Sequence, residues 1–141
     1  MAITGGCRCG AVRYEIDVEP LFTRHCWCRD CQYIGAGAGT VNVFFPSDNV
    51  KFEGALADYV STADSGNLMH RQFCAKCGTP VFTQSEKRRQ YLGVRADTLD
   101  DPELGKPQMA IWTQSAPSWA AFEPGIPQAP RNAPPPVGAK P

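Results

Sequence analysis

Val12, Tyr14, Ile16 and Val18 alternate with Arg13, Glu15 and Asp17, a two-residue period that gives a strand one apolar face and one polar face. Val41, Val43 and Phe45 repeat the pattern. Short runs at 50–52, 58–61, 68–73, 80–83, 91–95 and 109–112, bounded by Gly, Pro, Asn or Asp, predict further strands. A single helical turn is predicted from Asp30 through Cys31 to Ile34, and no 3.6-residue apolar period extends it. Thirteen glycines and thirteen prolines cut the chain into brief segments, so the expected fold class is mostly β, with little helix.

The chain has 141 residues, 43% of them hydrophobic and 20% charged, enough to enclose one core and too few for two. The last eighteen residues hold seven prolines and few apolar side chains. They predict a flexible or polyproline-like tail at 124–141, behind one domain at 1–123. Fourteen basic residues balance fourteen acidic ones, which disfavours nucleic acid as a partner because nothing would match a phosphate backbone. The first six residues carry neither a basic nor an apolar leader segment, and no run approaches the ~20 apolar residues of a membrane span. The expectation is a cytoplasmic protein with no membrane partner.

That expectation changes the meaning of seven cysteines, because cysteine clusters in a reducing compartment serve metals or catalysis more often than disulfides. They fall into three groups: Cys7 and Cys9, then Cys26, Cys28 and Cys31, then Cys74 and Cys77. A CxC pair in extended chain aims both sulfurs to one side. A CxxC turn does the same, and Gly78 suits the tight knuckle after Cys77. Sixty-four residues separate Cys9 from Cys74, too many for a local zinc ribbon. If Cys7, Cys9, Cys74 and Cys77 share one ion, it closes a long loop and is structural. Cys26, Cys28 and Cys31 then form a second set of three ligands with an open fourth position, the arrangement that separates catalytic from structural zinc. Alternatively, His25 or His70 closes that shell, although His25 adjoins Cys26 and points to the other face of an extended strand. Iron also binds such thiolate sets; zinc is the expected metal.

Three stretches in order, Gly6-Cys7-Arg8-Cys9-Gly10-Ala11-Val12-Arg13-Tyr14-Glu15, Cys26-Trp27-Cys28-Arg29-Asp30-Cys31, and Arg71-Gln72-Phe73-Cys74-Ala75-Lys76-Cys77-Gly78-Thr79-Pro80, resemble the glutathione-dependent formaldehyde-activating enzyme family, also called the GFA or centromere protein V family. The resemblance runs through most of residues 1–122. It implies an Mss4-like β-tent of antiparallel sheets with two zinc positions. Cys7, Cys9, Cys74 and Cys77 would hold a structural ion, and Cys26, Cys28 and Cys31 the active-site ion. It also implies a carbon-sulfur lyase that makes or cleaves S-hydroxymethylglutathione, with a small thiol such as glutathione as partner. This chain has Trp27 and Gln32 where the family often has His and a basic residue.

An anionic thiol needs cationic or amide donors near the open position. Arg24, His25 and Arg29 flank the central motif and are the candidates for binding it, with Arg71 beside the third motif. Backbone N–H groups of Gly35 to Gly39 could also reach a ligand. Proton movement at the adduct's oxygen calls for a general acid or base, for which His25 and Asp30 are nearest in sequence; Asp30 would serve equally well as cap of the turn through Cys31. Two further readings compete with the enzyme: a non-enzymatic, zinc-stabilised binding module, and a thiol redox sensor that would lose its metal on mild oxidation.

Overall fold

A computed structural model describes residues 2–134. It consists of ten strands and one short helix: β1 Ile3–Gly6, β2 Arg13–Ile16, β3 Phe22–Cys26, α1 Arg29–Ile34, β4 Thr40–Pro46, β5 Val50–Glu53, β6 Leu56–Thr62, β7 Leu68–Cys74, β8 Pro80–Ser85, β9 Tyr91–Arg95 and β10 Met109–Ile111. The mostly β expectation holds. The strands make a three-stranded sheet, β1-β2-β5, and a seven-stranded sheet, β10-β3-β4-β9-β8-β7-β6. Neighbours pair antiparallel throughout except β10, which runs parallel to β3. No helix among the described residues is long and apolar enough to cross a membrane.

Register explains the layers. Side chains of directly paired residues share a face. Pairing of Thr23 with Val43 and of Val43 with Val94 puts β4 and β9 apolar positions on one face of the large sheet. There Val43, Phe45, Leu92, Val94, Val81 and Phe82 pack against Val12, Tyr14 and Ile16 of the small sheet in one core. At the edge of that core the Tyr14 hydroxyl donates a hydrogen bond to Thr98 Oγ1 at 2.8 Å, and on the exposed side Arg13 pairs with Asp100 at 2.5 Å, tying β2 to the loop after β9.

The opposite face of the large sheet bears a different residue set. Arg24 pairs with Asn42 and Asn42 with Arg95; one step along, Phe22 pairs with Phe44, Phe44 with Gly93, Gly93 with Thr83, and Thr83 with Arg71. This face is therefore a row of polar and cationic side chains beside a row of aromatic and small ones. It is the wall of the cavity described below.

The stretch after Pro124, expected from composition to be flexible, is paired for part of its length. Ala110 N–H donates to the Pro127 carbonyl at 3.0 Å, Ala129 N–H to the Ala110 carbonyl at 2.9 Å, and Trp112 N–H to the Arg131 carbonyl at 3.0 Å. Prolines spaced three apart leave the intervening N–H and carbonyl groups free to pair with a strand edge, a point that proline content alone conceals. Pro135, Pro136 and Pro141 lie outside the described residues.

Candidate metal centre and cavity

Seven sulfurs form two groups. In the first, Cys7 and Cys9 follow β1, and Cys74 and Cys77 occupy the turn from β7 to β8. The Cys7 and Cys9 sulfurs are 3.6 Å apart, and those of Cys9 and Cys74 3.9 Å. Four sulfurs around a tetrahedral zinc, with Zn–S bonds of about 2.3 Å, lie about 3.8 Å from one another, so the set fits such an ion. The knuckles are shaped for it. Val12 N–H donates to Cys7 Sγ at 3.2 Å, and the Lys76 and Cys77 N–H groups donate to Cys74 Sγ at 3.3 and 3.4 Å. These bonds stabilise thiolates. Gly78 takes a φ of 81°, the left-handed turn that a side chain would strain. Hydrogen bonds from Thr79 hold the Cys77 thiol down to about 5. Cys9 is raised to about 11, its backbone bond from Ala11 outweighed by desolvation and the neighbouring sulfurs.

The second group comes from β3 and α1. Cys26 ends the strand, and Cys28 caps α1, its Sγ accepting the Cys31 N–H at 3.4 Å. The cap is thus a cysteine, where sequence proximity had offered Asp30; Asp30 sits in the first turn. Two ligands are positioned by the same short turn, and the third by the strand before it. The three sulfurs lie within 4.8 Å of one another, joined among the described residues by no histidine or carboxylate ligand. Their ionisation is mutually opposed. Hydrogen bonds from Cys26 and Cys28, with Thr40 and the charge of Arg95, hold Cys31 well below the ordinary thiol value. Its bonds with Cys28 and Cys31, and then burial, push Cys26 up. Cys28, against the lowering bond from Cys26, is raised by Cys31 and burial. One thiolate thus forms readily, and release of the other two protons calls for a cation among the sulfurs. A divalent, thiophilic metal meets that need.

These three cysteines line a cavity of about 190 Å³. Around it stand Arg24, Arg71, Arg88 and Arg95, with Asp30, Asn42, Asp64, Thr83 and Gln84 among the other polar lining and Phe22, Phe44, Met69 and Tyr91 as apolar wall. Trp112 closes the rim with a φ of 57°, rare for a bulky residue. Asp30 approaches Arg71 at 3.5 Å.

Of the residues proposed from sequence for thiol binding, only Arg24 and Arg71 reach the cavity. His25 occupies the other face of β3, its ring tilted against Trp27 at 4.7 Å between centres and donating from Nε2 to the Ala38 carbonyl at 2.8 Å. Strand parity put it there. Arg29 points along α1, bonded to Gln32 and lying 5.2 Å from the centre of the Tyr33 ring. The run Gly35 to Gly39 does not line the cavity either. It turns back beneath β3, where a Cβ at Gly39 would meet the Cys26 carbonyl at 2.3 Å. His70 lies on the far part of β7 between two carboxylates and ligates nothing in either group. Sequence reasoning missed Arg88 and Arg95. The signal for Arg95 is a lone charge closing the apolar run Tyr91-Leu92-Gly93-Val94, every residue of which is buried.

Trp27 and Gln32, the two departures from the resembled pattern, support each other. Trp27 is 1% exposed, and the buried Gln32 amide donates to the Trp27 carbonyl at 2.8 Å and the Ser115 carbonyl at 2.9 Å. Together they fix α1 against the loop after β10.

Residues 2–115 match the family described as glutathione-dependent formaldehyde-activating enzyme. A protein of Halomonas elongata named "Putative glutathione-dependent formaldehyde-activating enzyme" is 24% identical over 130 residues, covering 87% of this chain and 82% of that protein. One of the same name from Talaromyces marneffei is 25% identical over 114 residues, covering 77% of this chain and 60% of that protein. The crystal structure of a Rhodobacter sphaeroides protein superposes with a TM-score of 0.57 at 19% identity, over 89% of this chain and 98% of that one, a likeness of fold. With the family's match spanning most of the chain and its cysteines gathered into two sets, this chain belongs to the glutathione-dependent formaldehyde-activating enzyme family.

Proposed function

We propose that the chain is a zinc-dependent enzyme of the carbon-sulfur lyase type, joining a small thiol such as glutathione to formaldehyde as S-hydroxymethylglutathione, or cleaving that adduct. The observation that carries this reading is the three-sulfur set of Cys26, Cys28 and Cys31, opening on a cavity ringed by arginines. The names of the relatives support glutathione and formaldehyde as reactants. Cys7, Cys9, Cys74 and Cys77 would hold a structural zinc ion. Cys26, Cys28 and Cys31 would hold a second zinc ion, which would supply a Lewis acid.

The remaining work falls to the chain's own side chains. In the synthetic direction a bond forms between the thiol sulfur and the formaldehyde carbon, the carbonyl π pair moves to oxygen, and the proton lost from sulfur ends on that oxygen. Asp30, which lines the cavity 3.5 Å from Arg71, would carry that proton. Arg24, Arg71, Arg88 and Arg95 draw an anionic thiol inward. Phe22, Phe44 and Tyr91 keep water from the reacting atoms.

The test combines native mass spectrometry of metal with NMR exchange between glutathione and its hydroxymethyl adduct. The intact chain is expected to carry two zinc ions, one per cysteine group, and to speed exchange at least ~100-fold over buffer. Replacing Cys26, Cys28 and Cys31 by alanine should remove one ion and the acceleration, while the other ion and the thermal transition persist. Exchange no faster than in buffer, with one ion unaffected by the triple replacement, would leave a non-enzymatic, metal-stabilised binding module instead.

A further inference from the structure

The arginines around the cavity differ in how their charge is met. Arg24 donates to the carbonyl oxygens of Ala133 and Pro134. Arg71 donates from Nη1 to Ser61 Oγ at 2.5 Å and faces Asp30. Arg95 is 3% exposed, yet one hydrogen bond holds it, from Nη1 to Asn42 Oδ1 at 2.7 Å. Its Nε is buried without a partner. Among the described residues no carboxylate pairs with it.

A buried cation without a carboxylate partner is costly, and guanidinium cannot escape by losing its proton as a lysine would. Burial works against it and so does the charge of Arg71, while the Cys31 sulfur and, more weakly, Asp97 favour it. Asn42 and the strands on either side hold the group in place nonetheless, at the cavity wall beside Cys31. The arrangement is that of a preorganised site whose anion arrives with the ligand.

Resting on the thiol reading above, we propose that Arg95, with Arg71 beside it, receives a carboxylate of the thiol substrate and so sets a preference for mercapto-carboxylates over neutral thiols. Size narrows the class further. The cavity, about 190 Å³, is not much larger than the ~150 Å³ that encloses a benzene ring. A short mercapto-carboxylate enters whole; of a peptide thiol, only the arm bearing the sulfur and its nearest carboxylate does.

Binding to the full, metal-loaded chain is measured by calorimetry with 3-mercaptopropionate, with neutral 2-mercaptoethanol, and with propionate, which has the carboxylate and no sulfur. The expected result is at least ~10-fold tighter binding of the acidic thiol. Arg95→Met should abolish that preference. Arg95→Lys should keep part of it, retaining charge without the fork. Metal content per chain is expected to be equal in all three proteins. Equal affinity of the two thiols for the unaltered chain, or a preference that survives Arg95→Met, overturns the assignment while leaving the thiol site standing. Propionate bound only when Arg95 is present, with neither thiol binding more tightly than propionate, sinks the thiol reading and upholds the carboxylate seat. Should Arg95→Met fail to fold, Arg95→Lys and the comparison on the unaltered chain decide.

Discussion

His70 sits between two carboxylates, its Nδ1 2.7 Å from Asp58 and its Nε2 2.5 Å from Glu86, with Arg89 also on Glu86 at 2.6 Å. The bonds to Asp58, then Glu86, raise its pKa above the ordinary 6.5. A raised histidine stabilises the fold fully below its unfolded value, and that contribution disappears as pH climbs through the folded value. Glu86 is lowered, by Arg89 first and His70 second, so its own contribution disappears as the medium turns acid. Replacing His70 by glutamine should therefore lower the thermal midpoint most near about pH 5.5, by roughly 2 °C, and least near about pH 8.5. A gap that does not narrow with rising pH would show that His70 is neutral in the folded chain. The cluster clips β6 and β7 to the turn after β8 and belongs to neither cysteine group.

At the scale of elements, α1 is six residues long and could not persist alone. It is held by the Cys28 cap, by Gln32 and by the metal its cysteines would share. Gln32→Leu keeps the volume and strands the carbonyls of Trp27 and Ser115, for an expected loss of about 1–3 kcal/mol in chemical denaturation; a loss below about 0.5 kcal/mol would mean that water replaces the amide. Element by element, the sequence was most legible where one face of a strand is core and the other solvent, as in β2, whose burial alternates residue by residue. It was least legible where both faces are occupied. In β3, Phe22, Thr23 and Arg24 are all buried, between core on one side and cavity on the other, so no alternation survives. β1 was hidden by its two glycines. The cysteine groups could be read from spacing because ligand chemistry is local. The arginine ring could not, since Arg24, Arg71, Arg88 and Arg95 come from three strands and a turn that only the register aligns.

Across the whole molecule the four-cysteine group bridges the two sheets, joining the turn after β1 to the turn after β7 across sixty-four intervening residues. An ion there restrains the unfolded chain through a long loop, while the three-cysteine group is internal to one sheet and its neighbouring turn. The two sites thus divide labour by what they connect.

β10 has only three residues and closes one side of the seven-stranded sheet. Its outward N–H and carbonyl groups are taken up by residues 127–131. A bare β-border invites a matching border from another copy. Prolines at 127 and 130 can pair with β10 and cannot offer a full ladder to a third strand. The C-terminal segment is therefore a built-in guard against self-templated stacking. A chain ending at Glu123 should bind zinc as before, yet shift toward dimers and larger species with rising concentration in sedimentation velocity; one that stays as monodisperse as the full chain would show that β10 needs no guard.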